Sequence, residues 1–236
     1  MSNLAIIPAR GGSKRILRKN IKKFLGKPII AYSIEAALES GIYDEVMVST
    51  DDEEIAEISK KFGASVPFLR SPENANDYAG LSDVCIEVID KYNQVGRNFA
   101  TICCILPTAP FVTVEKLVNA KKMLDDSIYD SVFAVAEYSY PIQRSLKIDD
   151  GFINMRWPEN FPKRSQDLEK TYHDAGQFYF IKTDVFRKER KMFIEKSGAV
   201  ILSELETQDI DTETDWKLAE LKYELLKNGI QSNNTY

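Results

Sequence analysis

Five cationic side chains, Arg10, Lys14, Arg15, Arg18 and Lys19, crowd behind a short apolar run that ends at Pro8. Between the first two lie Gly11, Gly12 and Ser13, giving the segment "ARGGSK" from Ala9 to Lys14. Small residues expose backbone N–H groups, and successive amides flanked by cations form a concave site for an anion such as a polyphosphate. Position directly after an apparent strand strengthens that reading, because phosphates favour such strand-to-loop junctions. The register matches neither G-x-x-x-x-G-K-[ST] nor G-x-G-x-x-G, so neither motif names the ligand. Arg10 and Lys14 are the expected phosphate contacts, whereas Arg15, Arg18 and Lys19 also read as a solvated face.

A second pattern lies near the other end of the chain, in "DIDTETD". Asp209 and Asp211 alternate on an extended segment and so share a face. Two carboxylates on one face suit Mg²⁺, which takes one or two carboxylates and completes its shell with phosphate oxygens and water. Asp211 or Thr212 equally resembles the N-cap of a final helix. The acidic run "STDDEEI" at Ser49–Ile55 reads as a helix start, where the macrodipole favours carboxylates. His173 is the only histidine, so no histidine-rich metal site can form; beside Asp174 it is a candidate substrate contact. Arg144, Arg156 and Arg164 read as surface charges that could also grip a carboxylate ligand bidentately.

The elements that must position these residues alternate regularly. Strand-like runs ("LAIIPA", "DEVMVSTDD", "ASVPFLR", "FATICCILP", "SVFAVAE") are interleaved with helical periodicity at 28–40, 53–63, 81–96 and 113–126. The first, fourth and fifth runs are continuously apolar, as strands covered on both faces are. The expectation is an α/β fold: a twisted, mostly parallel sheet flanked by helices. Residues 138–171 break the alternation with Pro141, Pro158, Pro162, a "DDG" turn and two short strand candidates, and read as a hairpin-bearing insertion in one domain spanning 1–236. The runs "GQFYFIKTDVF" and "SGAVILSEL" then resume as strands before a capped C-terminal helix ending near Gly229. Ligands of such sheets bind beyond the carboxyl ends of the strands, among the loops 9–20, 49–52, 70–82, 107–111 and 206–211.

Bulk properties narrow the partners. A net charge of −5 argues against nucleic acid or an anionic membrane. No apolar run approaches the roughly 20 residues of a membrane span. The N-terminus lacks the pattern of a signal peptide, so a cytoplasmic location is expected. Cys85, Cys103 and Cys104 lack metal-ligand spacing and are expected to be buried, reduced thiols, the adjacent pair on opposite faces of one strand.

Taken in order, "IIPARGGSKRILRKN", "LRSPENANDYAG", "ILPTAPF" and "QDIDTETDW" resemble the CMP-sugar synthetases, the cytidylyltransferases that activate nine-carbon 2-keto sugar acids. The resemblance covers nearly the whole chain, and "SYPIQRSL" and "RSQDLEKTYHDAGQFYF" look most like the pseudaminic acid branch. It implies a Rossmann-like nucleotidyltransferase sheet whose inserted segment makes a homodimer and reaches the partner's site. By position, Ala9, Arg10, Gly11, Gly12, Ser13, Lys14 and Asn20 would hold the co-substrate CTP, with Arg70 and the Asp77–Ala79 loop near cytidine and ribose. Asp209 and Asp211 would hold Mg²⁺, and Arg10, Lys14 and Asp211 would carry catalysis. Gln143, Arg144, Arg164, His173 and Gln177 would meet the sugar acid. Leu106 stands where the sialic acid enzymes have a Gln, and "YHDAGQ" stands where they read "FRPNGA". A lost hydrogen-bonding group changes which hydroxyls a site accepts. A deoxy, acetamido-bearing acid such as pseudaminic acid is therefore expected, with legionaminic or sialic acid as alternatives. A nucleotide-sugar glycosyltransferase or a non-catalytic nucleotide-binding module are the readings of other classes.

Overall fold

Most of the apolar runs become strands of one six-stranded sheet. The computed structural model describes residues 2–76, 78–126 and 128–229. Its strands are β1 (Asn3–Pro8), β2 (Lys23–Phe24), β3 (Lys27–Pro28), β4 (Glu45–Ser49), β5 (Thr101–Ile105), β6 (Ser131–Glu137), β7 (Leu146–Asp149), β8 (Phe152–Met155), β9 (Tyr172–Lys182) and β10 (Ser197–Leu202). Its α-helices are α1 (Ile29–Ser40), α2 (Glu53–Lys61), α3 (Leu81–Gln94), α4 (Val114–Asp126), α5 (Thr183–Glu189) and α6 (Glu213–Lys227). The sheet runs β10-β6-β9-β5-β1-β4, parallel throughout except β9, which is antiparallel to both neighbours.

Alternation along the strands divides the core. Ala5, Ile7, Cys103 and Ile105 face one side, packing with residues of α1, α2 and α4. Leu4, Ile6, Ile102 and Cys104 face the other, against α3 and α5. Both layers are buried, which is why β1 and β5 read as apolar runs. Cys103 and Cys104 thus point to opposite faces, and all three cysteines are buried and unpaired.

Two strand expectations are corrected. The run "ASVPFLR" makes a single bridge, Ser65 to Met47, instead of a strand. Pro67 has no N–H for a ladder, and the chain leaves the sheet there. The run "GQFYFIKTDVF" stops being a strand at Lys182, where Thr183 opens α5. The insertion carries the expected hairpin: β7 pairs β8 across Asp150 and Gly151, whose φ of 49° and 81° are those of a type I′ turn. The hairpin lies outside the core, with Ile148 72% and Phe152 74% exposed.

Candidate active site

From β1 the chain turns to β4 on one side, while β5 lies on the other. Such a switch point opens a crevice beyond the carboxyl ends of the strands. A cleft of about 310 Å³ lies there. Arg10, Ser13, Lys14, Arg15, Lys19 and Asn20 line it from the loop after β1. Arg70, Asn74, Asn76 and Ala79 contribute from the segment before α3, and Leu106, Pro107 and Thr108 from the end of β5. Five of these residues are cationic and no carboxylate is among the described lining residues. A low-dielectric cleft with walls of one sign concentrates anions even on an acidic protein.

Gly11 earns its place by close approach. A Cβ there would lie 2.6 Å from Asp52 Oδ2 and 3.1 Å from Asp52 Cβ. Its N–H donates to Asp51 Oδ1 at 3.0 Å, so this amide is committed to the fold, and the expected anion nest is corrected to exclude it. Gly12 has nothing within 4 Å of its Cβ position and faces open space. Asp52 is the N-cap of α2, accepting from Ile55 N–H at 2.9 Å, as a helix start requires. Asp52 also binds Arg18 through a short contact, and that bond leads in holding the Asp52 carboxyl below its usual pKa. Arg18, with φ 53°, adds Glu54 at 2.5 Å. The solvated-face reading of Arg18 is therefore corrected: it ties the cationic loop to α2. Asn20 lines the cleft and donates to the Arg10 carbonyl at 2.9 Å, while Ala9 is wholly buried and its N–H donates to the Ser49 carbonyl at 2.9 Å.

Arg70 is 8% exposed, with Nε 3.1 Å from Ser49 Oγ and Nη2 2.5 Å from the Ser49 carbonyl. Burial pushes its pKa down. It forms no ion pair among the described residues, and it borders the cleft. A buried guanidinium left without a carboxylate is suited to a ligand's acceptor atoms. The neighbouring loop hangs on Glu87 of α3, which accepts from Ser71 N–H at 2.8 Å, Ser71 Oγ at 3.0 Å and Asn74 Nδ2 at 2.6 Å. Burial works to raise the Glu87 carboxyl, but bonds from Lys91, Asn74 and Ser71 outweigh it and hold its pKa at about 2. Asn76 Oδ1 accepts from Tyr78 N–H at 2.7 Å and Ala79 N–H at 3.0 Å, which shapes the turn; Asp77 lies outside the described residues.

The capping alternative at the start of α6 is resolved. Thr212 is the N-cap and exchanges bonds with Asp215, so the Asp211 carboxylate is not spent on the helix. It meets Arg15 Nη1 at 2.6 Å and stands 3.6 Å from Lys19 Nζ, two cations of the cleft wall. Lys19 also donates to the Ile210 carbonyl at 2.7 Å. Lys19 thus leaves the solvated-face reading, whereas Arg15 stays solvated, 68% exposed, while its tip joins the phosphate-type loop to the acidic segment. Asp209 is exposed and forms no ion pair among the described residues. Among those residues no group of three or more His, Cys, Asp or Glu converges to cage a metal. The donor set fits a hard cation held by Asp209 and Asp211 whose shell is completed by phosphate oxygens and water.

Comparison with known proteins decides the family. A cytidylyltransferase family model matches residues 4–225. The chain belongs to the cytidylyltransferase family. It is 43% identical over 229 residues to the pseudaminic acid cytidylyltransferase of Campylobacter jejuni, covering 95% of this chain and 97% of that one. It is 34% identical to the CMP-N,N'-diacetyllegionaminic acid synthase of Legionella pneumophila over 98% of this chain and all of that protein. The fold matches a solved CMP:2-keto-3-deoxy-manno-octonic acid synthetase complexed with CTP, with TM-score 0.70 at 18% identity across 97% of this chain and 100% of that one.

In this cytidylyltransferase the five sugar candidates do not line the cleft of their own chain. Gln143 Nε2 donates to the Glu169 carbonyl at 2.9 Å and leaves a buried Oε1 unpartnered. Arg144 binds the Lys163 carbonyl, and Arg164, 72% exposed, makes a bidentate pair with Asp167 at 2.7 and 3.0 Å. His173 packs its ring 4.9 Å from that of Tyr138. Gln177 is 2% exposed and donates to the Glu206 carbonyl at 2.5 Å, its Oε1 unpartnered. Leu106 does line the cleft, and lies 3.8 Å from the Cβ position of Gly176. Asp174 accepts from Tyr179 Oη at 2.6 Å, and the buried phenol's pKa is raised by burial first and by that bond second. The supporting contacts of Asp51, Asp52, Glu87 and Lys19 join residues far apart in the chain: the helix start marked Asp52 as a cap and Lys19 stood among the cations, but no local signal showed these distant partners.

Proposed function

We propose that the protein transfers CMP from CTP to the anomeric hydroxyl of pseudaminic acid, releasing pyrophosphate. The observation that carries this reading is the cleft at the sheet's switch point: five cations, no described carboxylate in its walls, and Asp211 bound at its margin through Arg15 and Lys19. The family and the 43% identity to a pseudaminic acid cytidylyltransferase support the substrate choice, as does Leu106 at the cleft wall. A wall without a hydrogen-bonding side chain suits a deoxy sugar better than one demanding a hydroxyl.

The anomeric hydroxyl loses its proton to water as its oxygen bonds to the α-phosphorus, the bond from that phosphorus to the bridging oxygen breaks, and the electron pair leaves with pyrophosphate. Such transfers depend chiefly on positioning and charge stabilisation. Arg10 and Lys14 would neutralise the α-phosphoryl and the leaving group, Arg70 and the 74–79 loop would orient the cytidine and ribose, and Asn20 would hold the loop through the Arg10 carbonyl. Asp209 and Asp211 would hold Mg²⁺, which neutralises phosphate charge when bound.

The arm 138–171 is assigned to a second copy of the chain. Its Tyr140, Ile148, Phe152, Ile153 and Phe161 are each at least 63% exposed, and large apolar side chains left open to water on one segment are what a partner surface would cover. With Gln143, Arg144 and Arg164 absent from their own cleft, the arm would deliver them to the partner's. His173 and Gln177 are retained as sugar contacts within this reading. No helix of the described residues is long and apolar enough to cross a membrane. Its buried thiols and nucleotide substrate agree with a cytoplasmic enzyme.

The test is Mg²⁺-dependent pyrophosphate release on addition of pseudaminic acid. Asp211→Asn should lower kcat by orders of magnitude with an unchanged melting temperature. Near-normal turnover in that variant defeats the metal assignment.

A further inference from the structure

Arg15 faces two ways. It lines the cationic cleft, and its Nη1 sits 2.6 Å from Asp211 Oδ2. The side chain is 68% exposed, so nothing packs it in place. Ile16, Arg18 and Lys19 beside it are anchored. Ile16 packs in one buried apolar cluster with Ile210 and Trp216, which fastens the loop after β1 to the segment before α6. Arg18 is bound by Asp52 and Glu54, and Lys19 by the Ile210 carbonyl. The Asp211 N–H donates to Asp215 Oδ2 at 3.1 Å within the cap of α6. Both main-chain segments are therefore already in position. What can change partners is the Arg15 guanidinium and the Asp211 carboxylate.

We propose that Arg15 is an exchangeable latch on Asp211: it pairs the carboxylate in the nucleotide-free protein, and the phosphates of the nucleotide draw it into the cleft and leave Asp211 to a divalent cation. This rests on the reading of Asp211 as a metal ligand. Two physical arguments support it. A bare carboxylate at the margin of an anion cleft repels an incoming triphosphate, and Arg15, closer to Asp211 than Lys19 is, cancels most of that charge until the phosphates arrive. The latch is also weak enough to open, since an exposed ion pair shifts an equilibrium by about fivefold at most. Guanidinium bonds to phosphate are bidentate and charge-assisted, so a triphosphate outcompetes one solvated carboxylate. Arg15 is thus a positioning residue that orders the assembly, with nucleotide ahead of protein-bound metal.

The experiment uses the full chain, Mn²⁺ as the probe for the divalent cation, and electron paramagnetic resonance of the free ion. In the absence of nucleotide, Arg15→Gln should bind Mn²⁺ roughly two- to fivefold more tightly than wild type, the range an exposed pair allows. Arg15→Lys, which keeps the charge, should restore part of the difference. In calorimetry with EDTA present, Arg15→Gln should bind CTP more weakly than wild type. An unchanged or weakened Mn²⁺ affinity in Arg15→Gln, or no detectable binding to either protein, overturns the latch. Asp211→Asn separates the two layers of the argument: if it leaves Mn²⁺ binding intact, the metal assignment itself fails, whatever Arg15 does.

Discussion

The two glycines of the cationic loop should respond to alanine with opposite signs. Neither has a positive φ, so the backbone admits alanine at both. At Gly11 the new methyl would meet Asp52 Oδ2 at 2.6 Å, Asp52 Cβ at 3.1 Å and Cγ at 3.2 Å. Rotating the carboxylate away relieves only the first contact, so the loop and α2 must separate. That weakens the cap on Ile55 N–H, a loss of about 1 kcal/mol. It also disturbs the Arg18 contact, and a hydrogen bond to a charged group contributes about 1.5–3 kcal/mol. The gain from restricting the unfolded chain, about 0.4–1 kcal/mol, offsets part of this. The net expectation for Gly11→Ala is a loss of about 2 kcal/mol, or a fall of about 4–8 °C in melting temperature for a domain of this size. Gly12→Ala has nothing within 4 Å to strike. It should be neutral or slightly stabilising, by up to about 1 kcal/mol, yet raise the KM for CTP if phosphates approach its amide. Thermal melts and pyrophosphate-release kinetics on both variants are the assay. A stable Gly11→Ala, or a Gly12→Ala that melts as low, refutes this account of the loop.

Arg70→Ala should raise the KM for CTP by roughly 10- to 100-fold, the worth of bonds from a charged donor, with a smaller change in kcat; an effect confined to the sugar acid would move Arg70 to the other pocket. The folded pKa of Glu87, about 2, lies below its ordinary 4.5, so its contribution to stability is complete above about pH 4.5 and is lost as pH falls towards 2. Glu87→Gln should therefore melt lower at neutral pH and lose part of the acid dependence between those values; parallel wild-type and variant curves would contradict it. Ile148→Asp with Phe152→Asp should shift sedimentation from dimer to monomer, and Arg164→Ala should raise the KM for the sugar acid far more than that for CTP. An unchanged sedimentation coefficient, or an Arg164 effect confined to CTP, would remove the arm from the partner's site.

Fold class was legible because apolar periodicity is a local property. β1 and β5 are apolar throughout since helices cover both their faces, and Gly41 with φ 64° ends α1 as its type demands. The run 64–70 misled because its apolar composition outweighed the missing N–H donor that Pro67 itself announces. The direction of β9 was hidden for a related reason: composition marks a strand but not the sense in which it enters a sheet. At the site, Arg10, Ser13 and Lys14 were legible from type and placement, and Asn20, Arg70 and Ala79 from the family resemblance; each lines the cleft. Gly11 was named for the wrong reason. Its need for Asp51 and Asp52, some 40 residues away, is a tertiary contact that spacing cannot show. The partners of Arg15 and Lys19 sit nearly 200 residues further along. Local charge therefore read only as solvated where the fold also makes it a bridge.

The central claim is the reaction, and its most direct measurement is kcat/KM for pyrophosphate release across CTP, UTP and ATP with pseudaminic, legionaminic and sialic acids, the CMP-sugar product being confirmed by mass. The account predicts turnover with CTP and Mg²⁺, highest for pseudaminic acid. Equal turnover with UTP or ATP, or a preference for sialic acid, would contradict it.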